Sequence, residues 1–269
     1  MTSPDALVRV STARGVTTLT LDSPHNRNAL STPLMTSLLD GIAAAVADDS
    51  VRVIVLDHTG PVFCSGADLK ETAAAYASGS VPAGMLGDVL AAVWECPKPV
   101  VARVAGPARA GGLGLIAAAD LAVCSQEATF AFTEVRIGVI PAVISATVLP
   151  RLHPRAAAEL YLTGDTFDGR RAAEVGLVTA AVPAAELDAA VARFCDSLVR
   201  GAPGALAGAK ELLRRRPATD LRAEIADLSA ISTGFFLSEE GMEGVLAFRA
   251  KRPARWVAAL DGDPGERAD

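Results

Sequence analysis

Val101-Ala102-Arg103-Val104-Ala105-Gly106-Pro107-Ala108-Arg109-Ala110-Gly111-Gly112-Leu113-Gly114-Leu115 reads as an apolar strand, a short turn, a glycine cluster and the start of an apolar helix running to about Ala119. A helix that begins on glycines leaves its first backbone N–H groups unpaired and presents the positive end of its dipole. Such a terminus suits an oxygen that carries, or will carry, negative charge. Glycine there also lets a ligand approach the main chain closely.

Outward from this stretch, strand–helix units fill the first two thirds of the chain. Leu7 to Leu21 alternates around Gly15 and predicts a β-hairpin. Asp22 to Asn28 is a polar, turn-rich loop. Ser31 or Thr32 before Pro33 starts a helix with Leu34, Leu38, Ile42 and Val46 on one face, fading at Asp48-Asp49. Val51–Leu56 predicts a β-branched strand ended by Asp57-His58-Thr59-Gly60, and Phe63 to Lys70 a loop entering a helix. Glu71 to Asp88, with its Gly/Ser/Pro/Ala mixture at Ala77 to Gly84, is expected to be the mobile segment, with a further helix running to Glu95. Leu121–Cys124 and Ala128–Phe132 predict short strands, and Thr133 to Pro141 an irregular apolar loop holding one acid, Glu134. Beyond Ala142 the pattern is helical apart from a strand at Leu177–Val182. A parallel sheet with helical cover and a helical C-terminal region is the natural architecture. The expected division is a core over 1–195, C-terminal helices over 196–260 and a disordered tail over 261–269.

The 269 residues suffice for one large domain. Half of them are hydrophobic and the mean hydropathy is +0.33, much of it alanine, which favours close helix packing and buried subunit contacts. No unbroken apolar run reaches membrane-spanning length. The N-terminus lacks the pattern of a secretory signal, so a cytoplasmic location is expected. A net charge of −6 and the absence of a basic, aromatic-laced cluster argue against nucleic acid as a partner. Cys64, Cys96, Cys124 and Cys195 are too scattered for a zinc site and read as buried thiols. Arg214-Arg215-Arg216 reads as a solvated helix end.

Two glycine-rich strand-to-helix loops, Cys64-Ser65-Gly66-Ala67-Asp68 and Ala110 to Gly114, form a two-donor oxyanion hole if they face one point, and are ordinary turns otherwise. A dinucleotide fingerprint is incomplete, since Ala117 stands where a glycine is needed. Glu134 in its apolar loop suits proton transfer near neutral pH if it is desolvated, or pairs outward with Arg136. Asp120 is expected to tie down backbone N–H groups. His25, His58 and His153 fall in loop-like positions with no recognisable catalytic partner.

Five motifs in order resemble the crotonase superfamily, the enoyl-CoA hydratase/isomerases. These are Phe63 to Lys70, Gly106 to Asp120, Phe130 to Pro141, the Leu162-Thr163-Gly164 to Val178 stretch, and Glu240 to Pro253. The resemblance runs from about Val8 to Trp256. It implies an α/β fold, a spiral of ββα units with a helical C-terminal region, assembled as a homotrimer or homohexamer. It implies an acyl-CoA substrate whose thioester oxygen sits between the N–H groups of Ser65 and Gly111, with Glu134 as general acid/base. Arg27, Ala29, Ala67, Asp68 and Leu69 would hold the adenine and ribose end of CoA. Phe248 and Lys251 would reach CoA, from a neighbouring subunit or their own. No metal and no cofactor beyond the CoA of the substrate are expected.

The chain departs from the best-known hydratases where they carry a second glutamate. That position is Gly114. A single carboxylate suffices to move a proton between two carbons, which is isomerisation, and suffices for hydration if it does both proton transfers. The segment Glu134 to Ser145 is similar to methylglutaconyl-CoA hydratases. Hydration of a 2-enoyl-CoA is the leading expectation, followed by isomerisation and by CoA binding without efficient lyase activity. Arg109 and Arg136 would meet a distal substrate carboxylate or else serve as surface ion-pair partners.

Overall fold

The computed structural model describes residues 7–68, 71, 83–215 and 220–261. Its main sheet has the order β1-β2-β3-β4-β6-β9. β1 (Val8–Ala13) and β2 (Val16–Leu21) form the expected hairpin, turned at Arg14-Gly15 with φ of +47° and +76°. The other pairings, with β3 (Val53–His58), β4 (Val100–Val104), β6 (Leu121–Ser125) and β9 (Ala180–Val182), are parallel. A small second sheet joins β5 (Ala108–Arg109), β7 (Thr129–Ala131) and β8 (Phe167–Asp168). The mixed α/β spiral is the architecture expected from the motifs.

β3 is buried on both faces, as a central parallel strand must be. Ile54 and Leu56 face the main core, and Val53 and Val55 face a second cluster built on α7 (Leu187–Leu198). The expected start at Val51 is two residues early, because the Arg52 and Val53 N–H groups both donate to Gly15 C=O in the turn before the strand. α1 (Thr32–Ala47) begins as expected, with Ser31 Oγ accepting the Leu34 N–H and Leu34, Met35, Leu38 and Ile42 turned inward. Each such buried side chain stabilises the fold by roughly 1.5–3 kcal/mol. α2 (Ala83–Trp94) already covers the last residues assigned to the mobile segment; residues 72–82 of that segment lie outside the described residues. So do residues 262–269 of the expected tail.

The remaining helices are α3 (Gly111–Ala118), α4 (Ala142–Val148), α5 (Pro154–Thr163), α6 (Gly169–Glu174), α8 (Pro203–Arg214), α9 (Leu221–Leu237), α10 (Glu239–Arg249) and α11 (Arg255–Asp261). The expected boundary at residue 195 falls inside α7, which belongs to the core because it covers the sheet. The C-terminal helices dock where the parallel strands begin. Arg52, just before β3, donates from Nη2 to Gly201 C=O at 2.7 Å and from Nη1 to Trp256 C=O at 3.4 Å. Lys210, buried, pairs with Asp120 just before β6 and donates to Lys98 C=O at 2.8 Å. Asp120 Oδ2 also accepts the Val100 N–H at 2.7 Å, the tie expected of it. The arginine run is not merely solvated: Arg214 donates to Trp94 C=O, and Arg215 pairs with Glu224 and Asp227. The opposite edge, where the strands end, is left to the loops.

Candidate active site

Two loops leave the ends of β3 and β4 and are laced together. The Phe63 and Cys64 N–H groups both donate to Pro107 C=O, at 3.0 and 3.4 Å, and Arg109 N–H donates to Cys64 C=O at 3.0 Å. Cys64 and Ala108 form an isolated parallel bridge. At Gly106 a Cβ would stand 2.2 Å from Pro61 C=O, so only glycine permits this contact. The lacing ends at Gly66, in the left-handed region at φ +93°, where a Cβ would stand 2.9 Å from Ala110 Cβ and 3.7 Å from Gly111 N. Ala67 and Gly111 follow directly on the two sides of that contact.

The third loop, after β2, fixes the first of these. Arg27 and Asn28 both take positive φ, +60° and +52°. Arg27 C=O accepts the Ser65 N–H at 3.1 Å, and Leu30 N–H donates to Gly66 C=O at 2.8 Å. Ser65 therefore spends its N–H inside the protein, against the expectation that it is an oxyanion donor. Among the described residues no acceptor is bonded to the N–H of Ala67, two residues on, or to those of Gly111 and Gly112, while Leu113 and Gly114 donate to Ala110 C=O. Ala110 itself is held at φ +47°, ψ −118°, a conformation that glycine takes freely and alanine only under strain.

Glu134 lies on a short 3-10 helix, Thr133–Ile137, where an irregular loop was expected. Its Oε2 is buried and has no hydrogen-bond partner among the described residues. Burial pushes its carboxyl above the ordinary value. It does not pair with Arg136, which turns outward to Asp165 and to Thr163 C=O. Tyr161 lies behind it. The Tyr161 ring packs 4.6 Å from Phe132, and its hydroxyl is 3.3 Å from Ser145 Oγ. Burial raises the Tyr161 pKa and the Glu134 charge raises it further.

The position of a second acid is filled. At Gly114 a Cβ would stand 2.6 Å from Ile144 Cγ2 and 3.2 Å from Leu90 Cδ2, and Thr147 Oγ1 on the same helix as Ile144 donates to Gly114 C=O at 3.1 Å. Helix α4 thus presses Ile144 into the volume a glutamate would need. No sequence signal marked Ile144, because only the crossing of α3 and α4 brings it there.

Cys64 is fully buried and its thiol is pushed up to about 12, which removes it as a nucleophile. Arg109 donates to Ala108 C=O, Thr129 C=O and Thr129 Oγ1, bracing β5 on β7, with no carboxylate partner among the described residues. No group of three or more His, Cys, Asp or Glu among the described residues could hold a metal ion. His58 is not in a loop as expected but ends β3, 8% exposed.

Of the residues expected to bind CoA, Arg27 and Ala67 are exposed, Ala29 is buried, and Asp68 accepts from Glu71 N–H and Asn26 Nδ2. Leu69 lies outside the described residues. Phe248, on α10, and Lys251, in the turn after it, are exposed and belong to the C-terminal region, which docks at the opposite edge of the sheet. Within one chain, the fold separates them from the laced loops.

Comparison with known proteins gives the family and the fold. The family model described as enoyl-CoA hydratase/isomerase matches residues 11–259. The mouse mitochondrial methylglutaconyl-CoA hydratase is 31% identical over 250 residues, covering 90% of this chain and 80% of that protein. The structure of Pseudomonas aeruginosa AtuE superimposes with a TM-score of 0.88 at 33% identity, covering 93% of this chain and 99% of the other. An enoyl-CoA hydratase structure from Mycobacterium avium is 44% identical with a TM-score of 0.71, covering 94% and 99%. The family model over nearly the whole chain and these likenesses place the chain in the enoyl-CoA hydratase/isomerase, or crotonase, family.

Proposed function

We propose that this protein is an enoyl-CoA hydratase that adds water across the double bond of a 2-enoyl-CoA with Glu134 as its one acid/base. The observation that carries the reading is the meeting of two unspent N–H groups, Ala67 and Gly111, on either side of the Gly66–Ala110 contact; the buried, unpartnered carboxylate oxygen of Glu134 supports it. The thioester oxygen accepts from both N–H groups, Gly111 at the start of α3 and Ala67 in the loop facing it. Glu134 takes a proton from water as the water oxygen bonds to C3. The π electrons move onto the thioester oxygen as an enolate, which the two donors stabilise. The enolate collapses as Glu134 returns the proton to C2, so atoms and charge balance. Each donor of this kind is worth about 2.7–4 kcal/mol of transition-state stabilisation. The raised carboxyl of Glu134 suits both halves of the cycle.

A second reading, interconversion of 3-enoyl and 2-enoyl-CoA, is favoured by Ile144 filling the second-acid position. Isomerisation asks Glu134 only to carry a proton from C2 to C4. We also infer self-association, supported by the exposed Leu213, Leu221, Phe236, Leu237 and Phe248 on the C-terminal helices; a neighbouring copy would then bring Phe248 and Lys251 to CoA.

The test follows the conjugated enoyl-thioester absorbance of crotonyl-CoA and of a branched glutaconyl-type CoA, with Glu134→Gln alongside. Loss of absorbance with the wild type alone supports hydration. Absorbance gained from a 3-enoyl-CoA, with no loss from the 2-enoyl substrates, supports isomerisation. Neither change, with butyryl-CoA still bound, leaves a CoA-binding protein.

A further inference from the structure

We propose that His58 is a positioning residue for the two backbone donors, its neutral imidazole accepting the Ala105 N–H on Nε2 and so fixing the first rung of the lacing that ends at Ala67 and Gly111. The proposal rests on the reading of those two N–H groups as the thioester-binding donors.

His58 is the last residue of β3 and Ala105 the first after β4, so the contact ties the roots of the two donor loops. Ala105 N–H meets His58 Nε2 at 3.2 Å. The next rungs follow in order: Gly106 against Pro61, Phe63 and Cys64 on Pro107, Arg109 on Cys64, and Gly66 against Ala110. Phe63, which opens the first loop's return, packs edge-on against the imidazole with ring centroids 5.5 Å apart. One side chain therefore touches both loops at their base. The accepting Nε2 places the ring hydrogen on Nδ1, which is buried without a hydrogen-bond partner. Nothing else in the site asks for a histidine.

The same geometry ties the lacing to the charge of the ring. A protonated imidazole would point Nε2–H at Ala105 N–H, donor against donor, so the rung cannot survive protonation. The charged groups around the ring are Asp57 on its own strand and Arg103 on β4, which is itself paired with Asp57 and with Asp188 of α7. Burial holds the ring's pKa below 6.5, against the pull of Asp57. The rung is therefore intact at neutral pH.

The experiment compares wild type, His58→Leu and His58→Gln. Leucine removes the acceptor; the glutamine amide oxygen can accept from Ala105 and does not titrate. Amide hydrogen exchange at residues 105–111 is read as a protection factor between about pH 5 and 8, together with kcat and KM for crotonyl-CoA hydration. His58→Leu is expected to lose protection at Ala105 and about tenfold in kcat with little change in KM, because donor placement counts most in the transition state. His58→Gln is expected to recover most of both. Wild-type protection is expected to fall on acidification below 6.5 while that of His58→Gln stays flat. Unchanged protection and kcat in His58→Leu, or a glutamine variant as impaired as the leucine variant, overturns the proposal. Parallel pH dependence in wild type and His58→Gln overturns it as well. If the wild type hydrates no thioester, the hydratase reading fails, and the protection factors still decide the role of His58.

Discussion

Glu134 sits where its own charge is disfavoured: Oε2 is buried and unpartnered, and the carboxyl is raised from 4.5. Between 4.5 and the folded-state value the native protein holds more protons than the unfolded chain. Its contribution to stability is therefore full below 4.5 and is lost as pH rises through the folded value. Glu134→Gln should lower turnover about 10²–10⁴-fold, while its melting temperature gains on the wild type as pH rises from about 4 to 7.5. Activity and calorimetry on one preparation check both signs. A variant that loses stability at neutral pH would contradict this account of the carboxylate. Ala110 carries a second local cost, at φ +47°. Ala110→Gly should raise unfolding free energy by about 1 kcal/mol, read by urea denaturation.

The donor loop after β3 is held by one side chain of the third loop. Asn28 is fully buried; its Oδ1 accepts Ser23 N–H at 2.7 Å, and its Nδ2 donates to Thr59 C=O at 3.0 Å and Val62 C=O at 2.8 Å. Asn28→Ala leaves one buried and two part-buried main-chain groups unpaired and puts alanine at positive φ, costing about 3 kcal/mol. Chemical denaturation would measure it, and a loss under about 1 kcal/mol would mean that water replaces the amide. The crossing of α3 and α4 sets a separate limit. Gly114→Glu should not add a working second acid but should destabilise by about 1–3 kcal/mol through overpacking on Ile144. Pairing it with Ile144→Gly should recover part of that loss. A Gly114→Glu protein of wild-type stability would show that α4 yields.

At the scale of the molecule, the chain uses the two edges of one parallel sheet for different purposes. Strand ends carry the donor loops; strand beginnings anchor the C-terminal helices through Arg52 and Lys210. Lys210 is buried while its partner Asp120 keeps some solvent. Lys210→Met should therefore cost about 2 kcal/mol, less than breaking a fully buried pair. Hydrogen exchange should then show α8 opening before the sheet. A globally uniform rise in exchange would mean that the C-terminal helices and the sheet unfold as one unit.

The sequence by itself determined the hairpin, the capped start of α1, the glycine-opened α3, the family and the single acid at 134. Each rests on local chemistry: alternation, a cap, a glycine, a motif within one stretch. Tertiary structure alone decided which N–H groups remain unspent. Ser65 and Ala67 are two residues apart in one loop, and only the approach of Arg27 C=O removes the first and leaves the second. It alone put Ile144 into the space beside Gly114 and turned Arg136 away from Glu134. It also carried His58 out of an apparent loop to the foot of both donor loops. Those outcomes depend on where separate segments meet, and no periodicity within a segment encodes the meeting.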